Sequence, residues 1–410
     1  MLGLKRLFGR GTETATAQVF EPPVLPLNLS APAFVRDPYP TYAWLRANAP
    51  VAEIAGGGFL ITRHADVMAA FTDPNLGNAP SRFSTLNAKN AGKYVAADLA
   101  SHIPPFLDAP AHIAVRRAVS RAFFAAMRGF ETRVAQLAEA RVAALRDGDD
   151  LIGSGAQPFA LEVMNAFCGV DVSAAAMKSH TMSFFHLFAP LKDPAVFAEV
   201  NEDMAAFRAV MARSYEARID GSFIAHLRAA ADAGAEITAD HVIDNAVLVY
   251  ADGVENVEAA VASLMLVFEA EGLWQALRAG DVDLEAAVRE GLRLQTPAQF
   301  VPRVARAAHE RSGVAIAKDM PVFLGLGSAN RDAEAIADAD LFDLGRGSGA
   351  IVTFGQGRHR CIGEPLGVMQ ITVFLRALIA QGVRPAARDV TYHARPGHRW
   401  PEALPIRKGA

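Results

Sequence analysis

One stretch narrows the folds open to this chain more than any other: Phe354-Gly355-Gln356-Gly357-Arg358-His359-Arg360-Cys361-Ile362-Gly363-Glu364-Pro365. A glycine-rich loop delivers one cysteine, and a largely apolar run from Glu364 to about Ala380 follows with no proline after Pro365. Pro365 suits a first helical turn, where its missing N–H is not needed, and Gly382 suits the far end, so the run predicts a helix. Cys361 then stands just before a helix N-terminus, where unpaired N–H groups and the positive end of the dipole favour a thiolate over a thiol. A thiolate held this way can ligate a metal. Gly355, Gly357 and Gly363 leave room for a flat, bulky group against the backbone. A lone cysteine beside a turn would be read as structural; the whole spaced set reads as a ligand loop.

The rest of the composition sets the frame for that loop. At 410 residues, length alone allows two or three domains, or one large enzymatic fold. Hydrophobic residues at 51% and charged residues at 20% describe a globular chain with ample core. A net charge of -4 gives no footprint for nucleic acid. With only two cysteines, Cys168 and Cys361, no disulfide framework is expected, and a reducing cytoplasm is the natural compartment. Cys168 lies in an apolar run and reads as a small buried hydrophobe. Met1 to Arg10 lacks the hydrophobic core of a signal peptide, and no run reaches the ~18 apolar residues of a membrane span.

Residues 1–32 carry Pro22, Pro23 and Pro26 without helical periodicity and read as an extended tail, with a single domain over 33–410. A short helix around Tyr42 and Leu45 precedes a strand at Phe59-Leu60-Ile61-Thr62. Between Asn75 and Pro105 the chain is poorly periodic and reads as a long loop. Asp108-Ala109-Pro110-Ala111-His112 opens a helix on which His112 and Arg116, four residues apart, share a face that can hold a pair of carboxylates. Residues 120–240 read as several amphipathic helices, and Thr181 to Pro190 is rich in aromatics, including Phe184, Phe185 and Phe188.

A strongly apolar helix is expected from about His241 to Ala270, interrupted at Asp252-Gly253-Val254-Glu255-Asn256. Carboxylates at Asp252, Glu255 and Glu258 argue against a lipid-facing helix. Asp252 and Asn256, about one turn apart, share a face close to Gly253, with Glu255 turned about 100° from Asn256. Farther on, Glu290 and Arg293 sit at i and i+3 and can pair.

Taken in order, these segments resemble the bacterial cytochrome P450 monooxygenases over roughly residues 35 to 406. Phe354 to Gly363 matches the Phe-Gly-x-Gly-x-His-x-Cys-x-Gly haem loop position for position, which makes Cys361 the expected axial ligand of haem iron. The resemblance implies a mainly α fold with a small β portion, haem b (iron protoporphyrin IX) as cofactor, and insertion of one oxygen atom from O2 into a small organic molecule. Two electrons are expected from a ferredoxin and its NAD(P)H-dependent reductase. Residues Arg117, Arg358 and Arg360 form a possible landing face for that partner. The Asp-x-Pro-x-His-x-x-x-Arg segment carries a propionate role to His112 and Arg116; Arg303 and His359 receive the same role, whereas Ile351 stands where many members have a further histidine. Glu290 and Arg293 correspond to a buried structural pair, with Arg346 as a candidate third member. Phe184, Phe185, Val249, Ala298, Phe300 and Val301 are the expected substrate-pocket residues. Gly397 to Ile406 resembles the terminal hairpin.

The helix over the cofactor departs from the family's Ala/Gly-Gly-x-Asp/Glu-Thr. Gly253 and Glu255 align, but Asn256 replaces the threonine and Asp252 the small residue. Asparagine donates and accepts hydrogen bonds but does not release a proton as a hydroxyl–water chain does. Three roles are open to Asp252: binding a basic nitrogen of the substrate, acid/base work on peroxide, or anchoring water. A structural hydrogen bond is the plain alternative. A peroxide-driven oxidase and a non-catalytic haem sensor or carrier therefore stand beside the monooxygenase reading.

Overall fold

The computed structural model describes residues 20–188, 194–347 and 349–409. The helix expected after the cysteine spans Glu364–Ala380 and buries residues all around its circumference, Leu366, Ile371, Val373, Phe374, Leu375 and Leu378 among them. An apolar run with no polar stripe can only sit inside a helical layer. It packs against Glu131–Ala144, Glu255–Ala270 and Leu284–Leu294. The Phe374 ring stacks on Phe159 at 4.4 Å between centroids. Each fully buried ring of this kind contributes about 1.5–3 kcal/mol of burial free energy. The helix Ala111–Ala126 shows the amphipathic alternative, burying Val115, Val119, Ala122 and Phe123 on one side and exposing Arg117 and Phe124 on the other. Cys168 is fully buried at the end of Gln157–Cys168, which Gly169 closes in the left-handed region at φ 75°.

The β portion is a five-stranded sheet running in space from Val51–Glu53 through Phe59–Ile61, Pro321–Gly325 and Phe300–Ala305 to Leu76–Gly77. Phe59–Ile61 pairs in parallel with Pro321–Gly325, setting Phe59 beside Val322, and the other pairings are antiparallel. Two short ladders, His309–Arg311 with Val314–Ile316 and Val383–Pro385 with Ile406–Lys408, lie apart from it. Near the C-terminus an isolated bridge joins Tyr392 to Pro401, and another joins His398 to Ala298.

Three stretches differ from what the sequence suggests. Residues 75–105 are not a featureless loop: Val95–Ala100 is helical because Ala96, Ala97, Leu99 and Ala100 are buried in the core. Its start carries no side-chain cap, so no polar signal announces it. Of the expected N-terminal tail, residues 1–19 lie outside the described residues. Residues 20–31 lie along the sheet, with the Leu27 N–H on the Glu53 carbonyl at 2.8 Å and Leu27 and Leu29 buried. The aromatic run remains helical through Phe188, and Ala189 and Pro190 fall outside the described residues. Both cysteines are free, and among the described residues no helix is long and apolar enough to cross a membrane.

Candidate active site

Between the helical layer and the sheet lies a cavity of about 330 Å³. Its wall on one side is the cysteine loop, where Phe354, Gly355, His359, Cys361 and Gly363 all face it. The loop is held by its own backbone: the Cys361 N–H donates to the Phe354 carbonyl at 2.9 Å and the Gly355 N–H to the Val352 carbonyl at 2.9 Å. Gly355 and Gly357 adopt φ of 66° and 73°, which explains the glycines there by backbone conformation, whereas Gly363 has an ordinary φ of -75°. Cys361 is exposed to the cavity that it lines. Burial dominates its acidity and pushes the thiol up to about 11; nearby Asp252 acts in the same sense, against the Gly363 N–H and Arg116, which favour the anion. A cation bound at the sulfur would add to the Gly363 N–H and Arg116 in favouring the anion.

Four donors gather at one end of the cavity. The rings of His112 and His359 lie 4.1 Å apart, and neither Nε2 has a hydrogen-bond partner although both are buried. Burial pushes His359 down to about 3, with His112 and Arg303 adding to it, and lowers His112 likewise. Arg303 is 6% exposed, donates only to the neighbouring Pro302 carbonyl, and is pushed down by burial to about 10. Arg116 faces the cavity and donates to the Arg360 carbonyl at 2.5 Å. Asp108 does not neutralise this group, because it is taken up by the N–H groups of Asn78 and Ala79 and by Arg306. Orphaned nitrogens and a buried guanidinium without a carboxylate are what a bound molecule with two acidic arms would satisfy. This donor set, with a sulfur ligand beside it, fits haem.

The opposite wall is the interrupted helix. It runs Ala239–Asp252, breaks at Gly253-Val254 and resumes as Glu255–Ala270, starting at a Thr238 capping box. The ladder restarts out of step, with the Val257 and Glu258 N–H groups both on the Val254 carbonyl at 3.0 Å. Asp252, Gly253 and Asn256 face the cavity. Gly253 does not only open space: a Cβ there would lie 2.4 Å from the Met164 sulfur, so a larger residue would force the Met164 side chain to shift. No protein hydrogen bond reaches the Asp252 carboxylate among the described residues. Burial pushes it up to about 7. Glu255 points away from the cavity, 1% exposed, with neither oxygen partnered, and burial pushes it up to about 8. Thr181 and Arg395 lie near enough to pull the other way. Glu258 is also raised well above the ordinary carboxylate range, by burial first and by Glu255 second.

The remaining lining includes Phe185, Phe188, Val249, Ala298, Phe300 and Val301. Phe184 is a correction: it is fully buried in the core, edge-on to Phe185 and Phe188, because its helix turns it away from the cavity. Sequence reasoning missed the roof. The Trp400 indole N–H donates to Asn256 Oδ1 at 3.2 Å, His398 lines the cavity 4.3 Å from the Trp400 ring, and Arg395 lies over that ring at 5.3 Å. Only the cluster of polar aromatics in His398-Arg399-Trp400 hinted at a site there.

Behind the loop, Arg293 is 0% exposed and grips Glu290 with two bonds of 2.7 and 2.8 Å. It also donates to the carbonyls of Asn330, Ala339 and Leu341. Arg346 reaches Glu290 at 3.1 Å, as the third member expected from the sequence. Asn330 carries the network onward, donating to Thr353 Oγ1 and accepting from the Val352 N–H, at the entrance to the cysteine loop.

Comparison with known proteins agrees with this geometry. The family model described as Cytochrome P450 matches residues 284–381. The cytochrome P450 monooxygenase PikC of Streptomyces venezuelae is 29% identical over 410 residues, covering 94% of each chain. Linalool 8-monooxygenase of Pseudomonas putida is 29% identical over 360 residues, with 83% of this chain and 88% of that one covered. The tirandamycin C-bound P450 monooxygenase TamI superposes with a TM-score of 0.81 at 27% identity, over 94% of this chain and 100% of that one. The chain belongs to the cytochrome P450 family, and is a haem-thiolate monooxygenase whose cofactor is haem b.

Proposed function

We propose that Cys361 is the axial ligand of the haem iron and that His112, Arg116, Arg303 and His359 hold its propionates. The observation that carries this reading is a cavity-facing sulfur beside four donors, His112 and Arg303 buried and Arg116 and His359 half-buried, that form no ion pair among the described residues. Held by Cys361 and the four donors, haem would supply oxygen activation at this site. The chain's own residues do the rest. Phe185, Val249, Ala298, Phe300 and Val301 exclude water and orient an apolar substrate. Glu255, neutral up to about pH 8, keeps a proton on a carboxyl oxygen one turn from the cavity wall. Asn256, its oxygen occupied by Trp400, is left with its amide N–H2 as the free group, because an indole N–H can only donate.

The electrons come from a ferredoxin and its NAD(P)H-dependent reductase, in the cytoplasm. Supporting this is one face of Ala111–Ala126 where Ile113 and Phe124, 55% and 50% exposed, flank exposed Arg117 and Arg121, with exposed Arg358 and Arg360 nearby. An apolar patch ringed by cations suits an acidic protein partner. The unpartnered Asp252 carboxyl and the absence of the family's threonine at position 256 favour a second reading, peroxide-driven oxidation at the same site.

The decisive measurement is the spectrum of the reduced, carbon monoxide-treated protein. Thiolate ligation by Cys361 gives a band near ~450 nm, and Cys361→Ala abolishes it. A band unchanged in Cys361→Ala would refute the assignment. Turnover with hydrogen peroxide alone, set against turnover with ferredoxin and reductase, separates the two electron sources.

A further inference from the structure

The cavity has an electrostatic asymmetry that the oxidation chemistry does not use. Both guanidinium groups on its wall, Arg116 and Arg303, lie with the imidazole of His359 at the propionate end, where His112 backs His359. The break in the helix presents the opposite charge. Asp252 projects into a lining made mostly of Phe, Val, Leu, Ala and Pro side chains. Among the described residues it receives no hydrogen bond, and no arginine or lysine forms an ion pair with it. A carboxylate left without a partner on an apolar wall is unfavourable unless something entering the cavity compensates it.

Its neighbours are already committed. Asn256, one turn on, has its oxygen taken by Trp400. Glu255 is buried behind the helix, within the influence of Arg395. His398, on the same wall as Trp400, is held neutral by burial and by Arg395, and its Nδ1 is buried without a partner. The roof thus offers a strong acceptor at Asp252 and a weaker polar site at His398, separated by apolar surface.

We propose that the substrate is an apolar molecule carrying a cationic nitrogen, which Asp252 pairs with inside the cavity. This deepens the monooxygenase reading and rests on it for the position of the cofactor. The charge fixes one end of the molecule against the helix break while the apolar remainder fills the space lined by Phe185, Val249 and Phe300. A neutral molecule of the same shape leaves the carboxyl protonated and gains nothing from it.

The test uses haem-loaded protein and two isosteric probes, hexyltrimethylammonium and 2,2-dimethyloctane. A quaternary nitrogen cannot ligate iron, so any preference reports the cavity wall. Affinities are measured by calorimetry for the wild type and for Asp252→Asn, which keeps shape and removes charge. The ratio of cation to neutral affinity is expected to fall about 10- to 100-fold in Asp252→Asn, the range for a charged contact in a partly desolvated site. Cation affinity in the wild type should rise with pH up to about 7 and then level off, with Asp252→Asn showing no such step. The groups facing Asp252 across the cavity are Arg116, Arg303, His359, Cys361 and His398, with Glu255 behind; since the variant retains all of them, the difference isolates Asp252. An unchanged ratio, or no measurable cation binding to the wild type, overturns the proposal. Loss of the ~450 nm band would instead count against the haem-thiolate assignment, and the two failures are read separately.

Discussion

Replacing Arg293 by alanine tests the network that anchors the cysteine loop. The guanidinium is fully buried and makes five hydrogen bonds, two to Glu290 and three to backbone carbonyls. Removing one member of a buried pair costs about 3–5 kcal/mol, since the other charge is left uncompensated. Here Glu290 keeps Arg346 and the Asp343 N–H, which lowers the cost, while three abandoned carbonyls raise it again. We expect about 4 kcal/mol, which for a chain of this length corresponds to a fall in Tm of about 5 °C. Glu290→Ala should cost a similar amount, and the double variant less than the sum by about 2 kcal/mol, because the pair is lost only once. Urea denaturation of the purified variants gives the energies. The carbon monoxide spectrum of the same samples gives the state of the loop, which Asn330 ties to this network through Val352 and Thr353. Strict additivity, or a loss under about 1 kcal/mol with an intact spectrum, would refute the view that these charges act as one unit.

Two further outcomes follow from buried charge. Glu255 stays neutral in the folded protein to about pH 8, whereas the unfolded chain ionises near ~4.3, so the native state holds the extra proton between those values. Stability must therefore fall as pH rises through that window, by at most about 5 kcal/mol, and Glu255→Gln should flatten the slope; equal slopes in pH-dependent denaturation would show that Glu255 is not held neutral. Arg303, buried without an acidic partner, is expected to destabilise the haem-free protein and to stabilise the loaded one. Arg303→Met should stabilise the haem-free protein by about 1–3 kcal/mol, a rise in Tm of about 1–3 °C, and speed haem loss about tenfold, measured by melting and by transfer to a haem acceptor. A variant that weakens both forms alike would contradict this.

The cysteine loop was legible because its constraints are local: positive φ at Gly355 and Gly357, and a helix that starts at Glu364. The Glu290–Arg293 pair was legible for the same reason, lying three residues apart on one helix. The interruption at Gly253-Val254 could be anticipated from polar residues in an apolar helix, though Met164 behind Gly253 could not, since it comes from a separate helix. Trp400 meets Asn256 across 144 positions, and no periodicity encodes such a meeting. A helix terminus beside Cys361 is visible in sequence, whereas desolvation of its sulfur depends on the whole surrounding fold. Phe184 and Phe185 are neighbours in the chain, and which of the two reaches the cavity depends on the rotation of their helix.

The sheet carries a consequence for how the molecule assembles. Leu76 lies beside Ala305 and Phe59 beside Val322, so nearly the entire helical layer is an excursion between strands that must find each other again. Closing so long a loop is entropically unfavourable until the excursion has collapsed, which makes strand pairing a late event in folding. Arg303 sits on one of those late strands and His112 and Cys361 on the other side of the seam. The crevice for the porphyrin thus comes into being only when the two ends of the excursion meet, so a nascent chain has nowhere to receive its cofactor until synthesis is nearly complete.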